Sequence, residues 1–157
     1  VTGVEEAPQG FHARYSAVSR RYLYLIGLSP SPLWRRRRWH VSYALDRHAM
    51  AEAAARLEGE RDFSTFALSG SEPNHHRCRV MSVSLEWEPR YGGMLLFSIE
   101  ADRFLRGMVR SIVGTLVEVG RGRTTPEDVE TVLAALDRSA AGPTAPPWGL
   151  YLERVTY

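Results

Sequence analysis

The sequence contains no lysine, so all twenty of its basic residues are arginine. That excludes amine nucleophiles and Schiff-base chemistry within the chain, and supplies instead planar, permanently charged forks suited to phosphate. Cysteine is almost as scarce: Cys78 stands alone, no intrachain disulfide can form, and a reducing compartment is compatible with the composition. No apolar run reaches the roughly 18 residues that a membrane span needs, and the opening VTGVEEAPQG lacks the basic and apolar pattern of a targeting segment. The expectation is a cytoplasmic protein with no membrane partner. Serine, histidine and aspartate are present, yet no Gly-x-Ser-x-Gly elbow or phosphate loop accompanies them, which leaves hydrolase and nucleotidase readings without local support.

What is present suits one folded domain: 157 residues, 44% of them apolar and 24% charged, are enough to enclose a core and too mixed for disorder. Alternation predicts a strand over Arg20–Leu28, with Tyr22, Tyr24 and Ile26 on one face. Asp46 is placed to cap a helix running to about Glu58, with Gly59 as its stop. From Arg79 to Trp87, Met81, Val83, Leu85 and Trp87 alternate with smaller or polar residues, and Tyr91-Gly92-Gly93 then turns into MLLFSIEA as a hairpin. Leu105, Met108, Val109, Ile112, Leu116 and Val119 recur at helical spacing up to Gly120. A further helix is expected from the Thr125 cap and Pro126 to about Leu136, and a last strand from Leu150 to Tyr157. The order predicts an α+β fold, an antiparallel sheet with helices packed on one face.

Four features bear on chemistry. Tyr22 follows Arg20 and Arg21, so its ring can stack on a base beside charges that hold phosphate, or it can be an ordinary core or edge-strand tyrosine. Arg35–Arg38, bracketed by Trp34 and Trp39, can grip RNA by charge and stacking, or form a solvated edge anchored by two indoles. Arg110 lies within an apolar helix, where it is either a surface residue or a partly buried cation that needs an anion. His75, His76 and Cys78 offer three ligands with no second cluster, short of the four that a structural zinc site uses, so no metal is expected.

Several blocks in fixed order resemble the A-type tRNA pseudouridine synthases. FHARYSAVSRRYLYLI (residues 11–26) is similar to that family's Phe-His-Ala-Arg-Phe-x-Ala and Arg-Arg-Tyr-x-Tyr stretch. LEGERDFSTF is similar to its Leu-x-Gly-x-x-Asp-Phe segment, ADRFLRGMVRSIVGTLVEVGRG to its helix, and AGPTAPPWGLYL to its closing Thr-Ala-Pro and Gly-Leu-x-Leu elements. Asp137-Arg138 is also in register. The resemblance implies a pseudouridine synthase type of fold, and a homodimeric enzyme that isomerises uridine to pseudouridine in the tRNA anticodon stem-loop, with no cofactor and no metal.

It also implies roles: Tyr22 packs against the target base, Leu150 lines the same pocket, and Arg110 pairs with the nucleophilic aspartate; Arg20 and Arg21, by their charge beside Tyr22, are expected to hold substrate phosphate. The family's nucleophile lies in Gly-Arg-Thr-Asp-Ala-Gly, a motif that residues 1–157 do not contain. The chain is accordingly expected to be a C-terminal domain over its whole length, inactive alone and supplying half of an active site. Where the family commonly has Ala-Asn, this chain has Ala101-Asp102, and Asp102 is expected to cap the following helix. The competing expectation is a noncatalytic RNA-binding module of the same fold.

Overall fold

A computed structural model describes residues 3–70 and 76–157 of the chain. Strand β1, Ser19–Gly27, is central, and its aromatic and branched residues suit a pleated, covered surface: Tyr24 and Ile26 are fully buried. On one side of β1 lies antiparallel β5, Met94–Ala101, followed outward by β4, Arg77–Glu88, and β3, Gly59–Asp62. The other edge of β1 is shared end to end. Ser19–Tyr24 pairs antiparallel with β6, Leu150–Thr156, whereas Ile26 and Gly27 pair in parallel with β2, Trp39–His40. The fold is α+β as expected, with a sheet that is mixed at this one place.

Helix α1, Arg47–Ala55, begins where Asp46 accepts hydrogen bonds from the His48 and Ala49 N–H groups at 2.9 and 3.0 Å. It ends before Glu58, and Gly59, the expected stop, instead opens β3 with a φ of 102° that a side chain would resist. Helix α2, Met108–Gly120, is apolar almost all round and is covered accordingly, from Val109 and Ile112 to Leu116 and Val119. Its far end meets α1 closely: Asp46 N–H donates to the Gly120 carbonyl at 2.7 Å, and a Cβ at Gly120 would press into Met50. Helix α3, Asp128–Ala134, is opened by reciprocal caps, Asp128 N–H to Thr125 Oγ1 at 3.3 Å and Thr125 N–H to Asp128 Oδ2 at 2.7 Å. It stops short of Leu136, whose φ of 51° is left-handed. None of the described helices is long and apolar enough to cross a membrane.

Two expectations fail for local reasons. A bulge between Val80 and Ser82 shifts the register of β4 on β5, so Cys78 and Val80 face the core before it and Val83 and Leu85 after it. Met81 is thereby left 47% exposed; Trp87 keeps the inward side of Val83 and Leu85 but lies near the end of the strand, 42% exposed beneath the Arg47 guanidinium at 4.6 Å. Asp102 does not cap α2, which begins at Met108 behind Gly107; its Oδ1 accepts from Arg79 N–H at 2.9 Å and its N–H returns a bond to the Arg79 carbonyl at 3.1 Å, closing the end of the β4–β5 pair.

Because the Asp46 carboxylate satisfies α1 donors that are otherwise orphaned, Asp46→Ala is expected to cost about 1 kcal/mol of unfolding free energy, measured by urea denaturation with an unchanged m-value.

Candidate active site

Tyr22 and Tyr24 sit on the same face of β1, two positions apart, so the pleat points both rings toward α2. Tyr24 is fully covered, whereas Tyr22 is half-buried and meets the Phe104 ring edge-on at 5.0 Å and 86°. Across the strand gap, Leu152 opposes Tyr22 and Leu150 opposes Tyr24. Leu150 is partly buried against the core and Leu152 is 55% exposed, so this face is open at the Tyr22 end. The Tyr22 hydroxyl has no hydrogen-bond partner among the described residues.

Arg110, in the first turn of α2, is held by its own backbone and by one side-chain nitrogen. Its Nε donates to the Ala145 carbonyl at 2.7 Å, and Ala145 N–H donates to the Arg110 carbonyl at 3.0 Å. The next carbonyl, that of Pro146, accepts from the Tyr24 hydroxyl at 2.7 Å. Burial pushes the Tyr24 phenol well above the ordinary tyrosine range, and the nearby Arg110 cation offsets only part of that rise. Tyr24 is thus a neutral donor that fixes the 145–146 backbone, while the terminal nitrogens of Arg110 form no ion pair or hydrogen bond among the described residues.

The segment carrying these carbonyls is itself fastened to α2. Arg138 donates to the Ala141 and Gly142 carbonyls at 3.3 and 3.1 Å and to Thr144 Oγ1 at 2.8 Å, and Gly142 N–H donates to Thr115 Oγ1 at 2.9 Å. A Cβ at Gly114 would overlap the Pro143 carbonyl oxygen, so only glycine allows this approach. Among the residues proposed from sequence, then, Tyr22, Arg110 and Leu150 border one open face. Tyr24, Phe104 and Ala145 complete it; period two pairs Tyr24 with Tyr22, and all three residues lie within the blocks that resemble the family, although the sequence alone assigns them no role.

The two arginines before Tyr22 are engaged elsewhere. Arg20 donates to the carbonyls of Ala17 at 3.0 Å, Asp102 at 2.6 Å, and Arg14. Arg21, on the sheet face opposite Tyr22, grips the nearly buried Glu100 through Nε at 3.0 Å and Nη2 at 2.6 Å, where Ser19 Oγ and Arg154 also donate. In the basic run, Arg35, Arg36 and Arg37 are exposed, but Arg38 is buried and donates to the Ser29 carbonyl at 2.6 Å. His75 lies outside the described residues. His76 Nδ1 is 2.9 Å from Ser64 Oγ, which in turn donates to Asp62, and burial pushes the Cys78 thiol up to about 11. Among the described residues no three His, Cys, Asp or Glu side chains converge as a metal site would require.

Residues 53–157 match the family model described as tRNA pseudouridine synthase. Relatives named tRNA pseudouridine synthase A include those of Moorella thermoacetica, 47% identical over 98% of this chain and 62% of the relative, and Geobacter sulfurreducens, 44% identical over 100% and 64%. That of Thermosipho melanesiensis is 40% identical over 97% of this chain and 62% of the relative. The chain thus spans 62% to 64% of the length of these curated relatives.

The Glu100 cluster makes a pH-dependent contribution to stability. Hydrogen bonds from Ser19 and Arg21, with the charges of Arg21 and Arg154, hold the Glu100 carboxyl below the usual range. A carboxyl depressed in the folded state stabilises fully above its unfolded value of about 4.3 and loses that contribution as pH falls through the lower folded value. Glu100→Gln is therefore expected to lower stability at neutral pH and to flatten its decline in urea melts taken on the acid side of that value.

Proposed function

The chain belongs to the tRNA pseudouridine synthase family, and we propose that it supplies the C-terminal half of the active site of an enzyme isomerising uridine to pseudouridine in the tRNA anticodon stem-loop. The observation that carries this reading is the anchored Arg110: a guanidinium fixed through Nε, with its terminal fork unpaired among the described residues, beside an open aromatic and aliphatic face. A cation so placed lowers the pKa of an incoming carboxylate and fixes its orientation, as a nucleophilic aspartate requires. In the reaction the bond from the ribose carbon to uracil N1 breaks, the base turns, a bond to C5 forms, and the C5 proton is lost while N1 gains one. No atom is added and no electron is transferred overall, so the step consumes no co-substrate and no net oxidant or reductant.

Each residue has a task in this scheme. Tyr22 and Leu150 form the wall that holds a flipped uracil without a covalent bond, and the edge of Phe104 sets the tilt of the Tyr22 ring. Arg20 and Arg21 act from beside the wall: Arg20 ties together the backbone at residues 14, 17 and 102, and Arg21, still 36% exposed at its side chain, meets a phosphate only in competition with Glu100. Residues 1–157 serve as the C-terminal domain of a cytoplasmic homodimer whose aspartate lies in the family's Gly-Arg-Thr-Asp segment.

The test uses an enzyme in which this chain is joined to the aspartate-bearing segment of a relative. Arg110→Ala is expected to keep tRNA affinity, to lower the single-turnover rate, and to move the acid limb of the rate profile to higher pH, because loss of the cation raises the carboxylate pKa. Arg110→Lys retains a charge without the Nε anchor to Ala145 and should recover only part of the rate. A wild-type rate and profile for Arg110→Ala would place the residue outside the active site.

Tyr22 separates stacking from proton transfer. Tyr22→Ala is expected to weaken tRNA binding by about 1 to 3 kcal/mol, the range for one stacked base, while Tyr22→Phe should preserve it. If the unpartnered hydroxyl moves a proton, Tyr22→Phe will bind normally and turn over about 100-fold more slowly or worse; an unchanged rate assigns the residue to packing alone.

A further inference from the structure

Beyond the wall formed by Tyr24 and Pro146 lies a second concavity of about 750 Å³, in the range of roughly 300 to 1,000 Å³ that small-ligand sites occupy. Three of the four tryptophans of the chain line it, Trp34, Trp39 and Trp148, together with Arg35, Arg36 and Pro146. Among the described residues, none that lines it is acidic. The loop that brings Trp34 here is held at two points: Tyr151 Oη donates to the Arg37 carbonyl at 2.6 Å, and buried Arg38 donates to the Ser29 carbonyl at 2.6 Å beneath Gly27, where any Cβ would collide with it. The fourth arginine of the run is therefore a structural post, and the tryptophan and arginine side chains toward the cavity sit on a braced scaffold.

The cavity and the candidate active site share a wall. The Trp39 ring meets the Tyr24 ring edge-on at 6.4 Å and 90°, and the Tyr24 hydroxyl binds the Pro146 carbonyl at 2.7 Å. An RNA strand whose target base lay against Tyr22 would have its adjoining nucleotides within this neighbourhood. Indole faces offer stacking that every base can use, exposed guanidinium groups offer phosphate contacts, and the absence of carboxylates among the described lining residues removes the repulsion that a polyanion would meet.

We infer that this tryptophan-lined cavity is a subsite for an unstacked nucleotide of single-stranded RNA next to the modified uridine, its base against Trp148 and Trp34 and its phosphate on Arg35 and Arg36. The inference rests on the reading of the substrate as RNA, but binding at the subsite needs no catalysis and is measured on the 157-residue chain itself.

The probe is a short oligouridylate, followed by quenching of tryptophan fluorescence, with Trp87, on β4 under Arg47, as the internal reference outside the cavity. Trp148→Ala, at a position 46% exposed and so undemanding for folding, is expected to weaken binding between about fivefold and about 150-fold, the equivalent of roughly 1 to 3 kcal/mol per stacked base. Trp87→Phe should leave affinity unchanged. Arg35→Gln and Arg36→Gln should each reduce the slope of log affinity against log salt by about 0.7, the single-strand value per phosphate, which tests the subsite even if a tryptophan variant misfolds by circular dichroism.

Three results would overturn it. Equal competition by inorganic tripolyphosphate, with affinity indifferent to Trp148, would mean a charged surface only. A Trp148→Ala variant that changes the sedimentation coefficient of the chain without changing RNA affinity would make the cavity an interface between copies. Normal turnover in the joined enzyme carrying Trp148→Ala, with unaltered tRNA affinity, would remove the subsite while leaving the isomerase reading intact; that reading fails separately, through Arg110.

Discussion

The Arg110 Nε donates to the Ala145 carbonyl at 2.7 Å while the Ala145 N–H returns a bond to the Arg110 carbonyl at 3.0 Å, and this reciprocal pair joins α2 to the segment that leads into β6. Neither half is sufficient alone. A guanidinium has several rotatable bonds behind it, and one hydrogen bond would leave its fork free to swing; anchoring Nε to the carbonyl of a residue whose own N–H donates to the Arg110 carbonyl removes most of that freedom. The anchor in turn depends on the close approach of the 141–145 segment, which Gly114 permits and the three acceptors of Arg138 maintain. A change in the packing of that segment would therefore be felt at the Arg110 fork, although none of these groups needs to touch a substrate.

The chain's reliance on arginine has a structural as well as a chemical side. Arg20 and Arg138 each satisfy several oxygen acceptors of loops, Arg21 neutralises a nearly buried carboxylate, and Arg38 braces a turn from beneath Gly27. A planar fork with five donors can do this at a fixed geometry, where an ammonium would act as a point charge on a flexible stem. So a basic total that invites a nucleic-acid reading is partly absorbed by the fold. The arginines left for an anion are those such as Arg35, Arg36 and the terminal nitrogens of Arg110, a smaller and more localised set than the composition suggests.

Local signals were legible where one interaction decides the structure. The Asp46 cap and the Thr125 start of α3 followed from the chemistry of orphaned helix donors, and the apolar period of α2 told its end and its burial, although it ran from Leu105 and the helix begins at Met108. Signals that depend on a partner strand were not legible. The bulge after Val80 reverses which side of β4 faces inward, and nothing in the alternation of Met81, Val83, Leu85 and Trp87 reveals it, because the extra residue exists only relative to β5. Asp102 failed likewise: an acidic residue ahead of a helix has the composition of a cap, but its backbone was already committed to Arg79 across the sheet. At the candidate site, the residue types Tyr22, Arg110 and Leu150 could be singled out, whereas the carbonyls of Ala145 and Pro146 that organise them carry no side-chain signature at all.

Tyr24 explains why these parts form one unit. It is the most enclosed of the aromatic residues near the site, its phenol is kept neutral by burial, and its single hydroxyl bond reaches the carbonyl next to the one that Arg110 holds. Its ring also receives the edge of Trp39, from the short parallel strand at the other end of β1. A neutral, buried donor is suited to this task, since an ionised phenolate would have to be desolvated and would repel the carbonyl oxygen it now binds. Through this residue the site side of the sheet and the tryptophan-lined concavity rest on the same two backbone carbonyls, so a shift of the Pro146 peptide would move the Arg110 anchor and the cavity wall together.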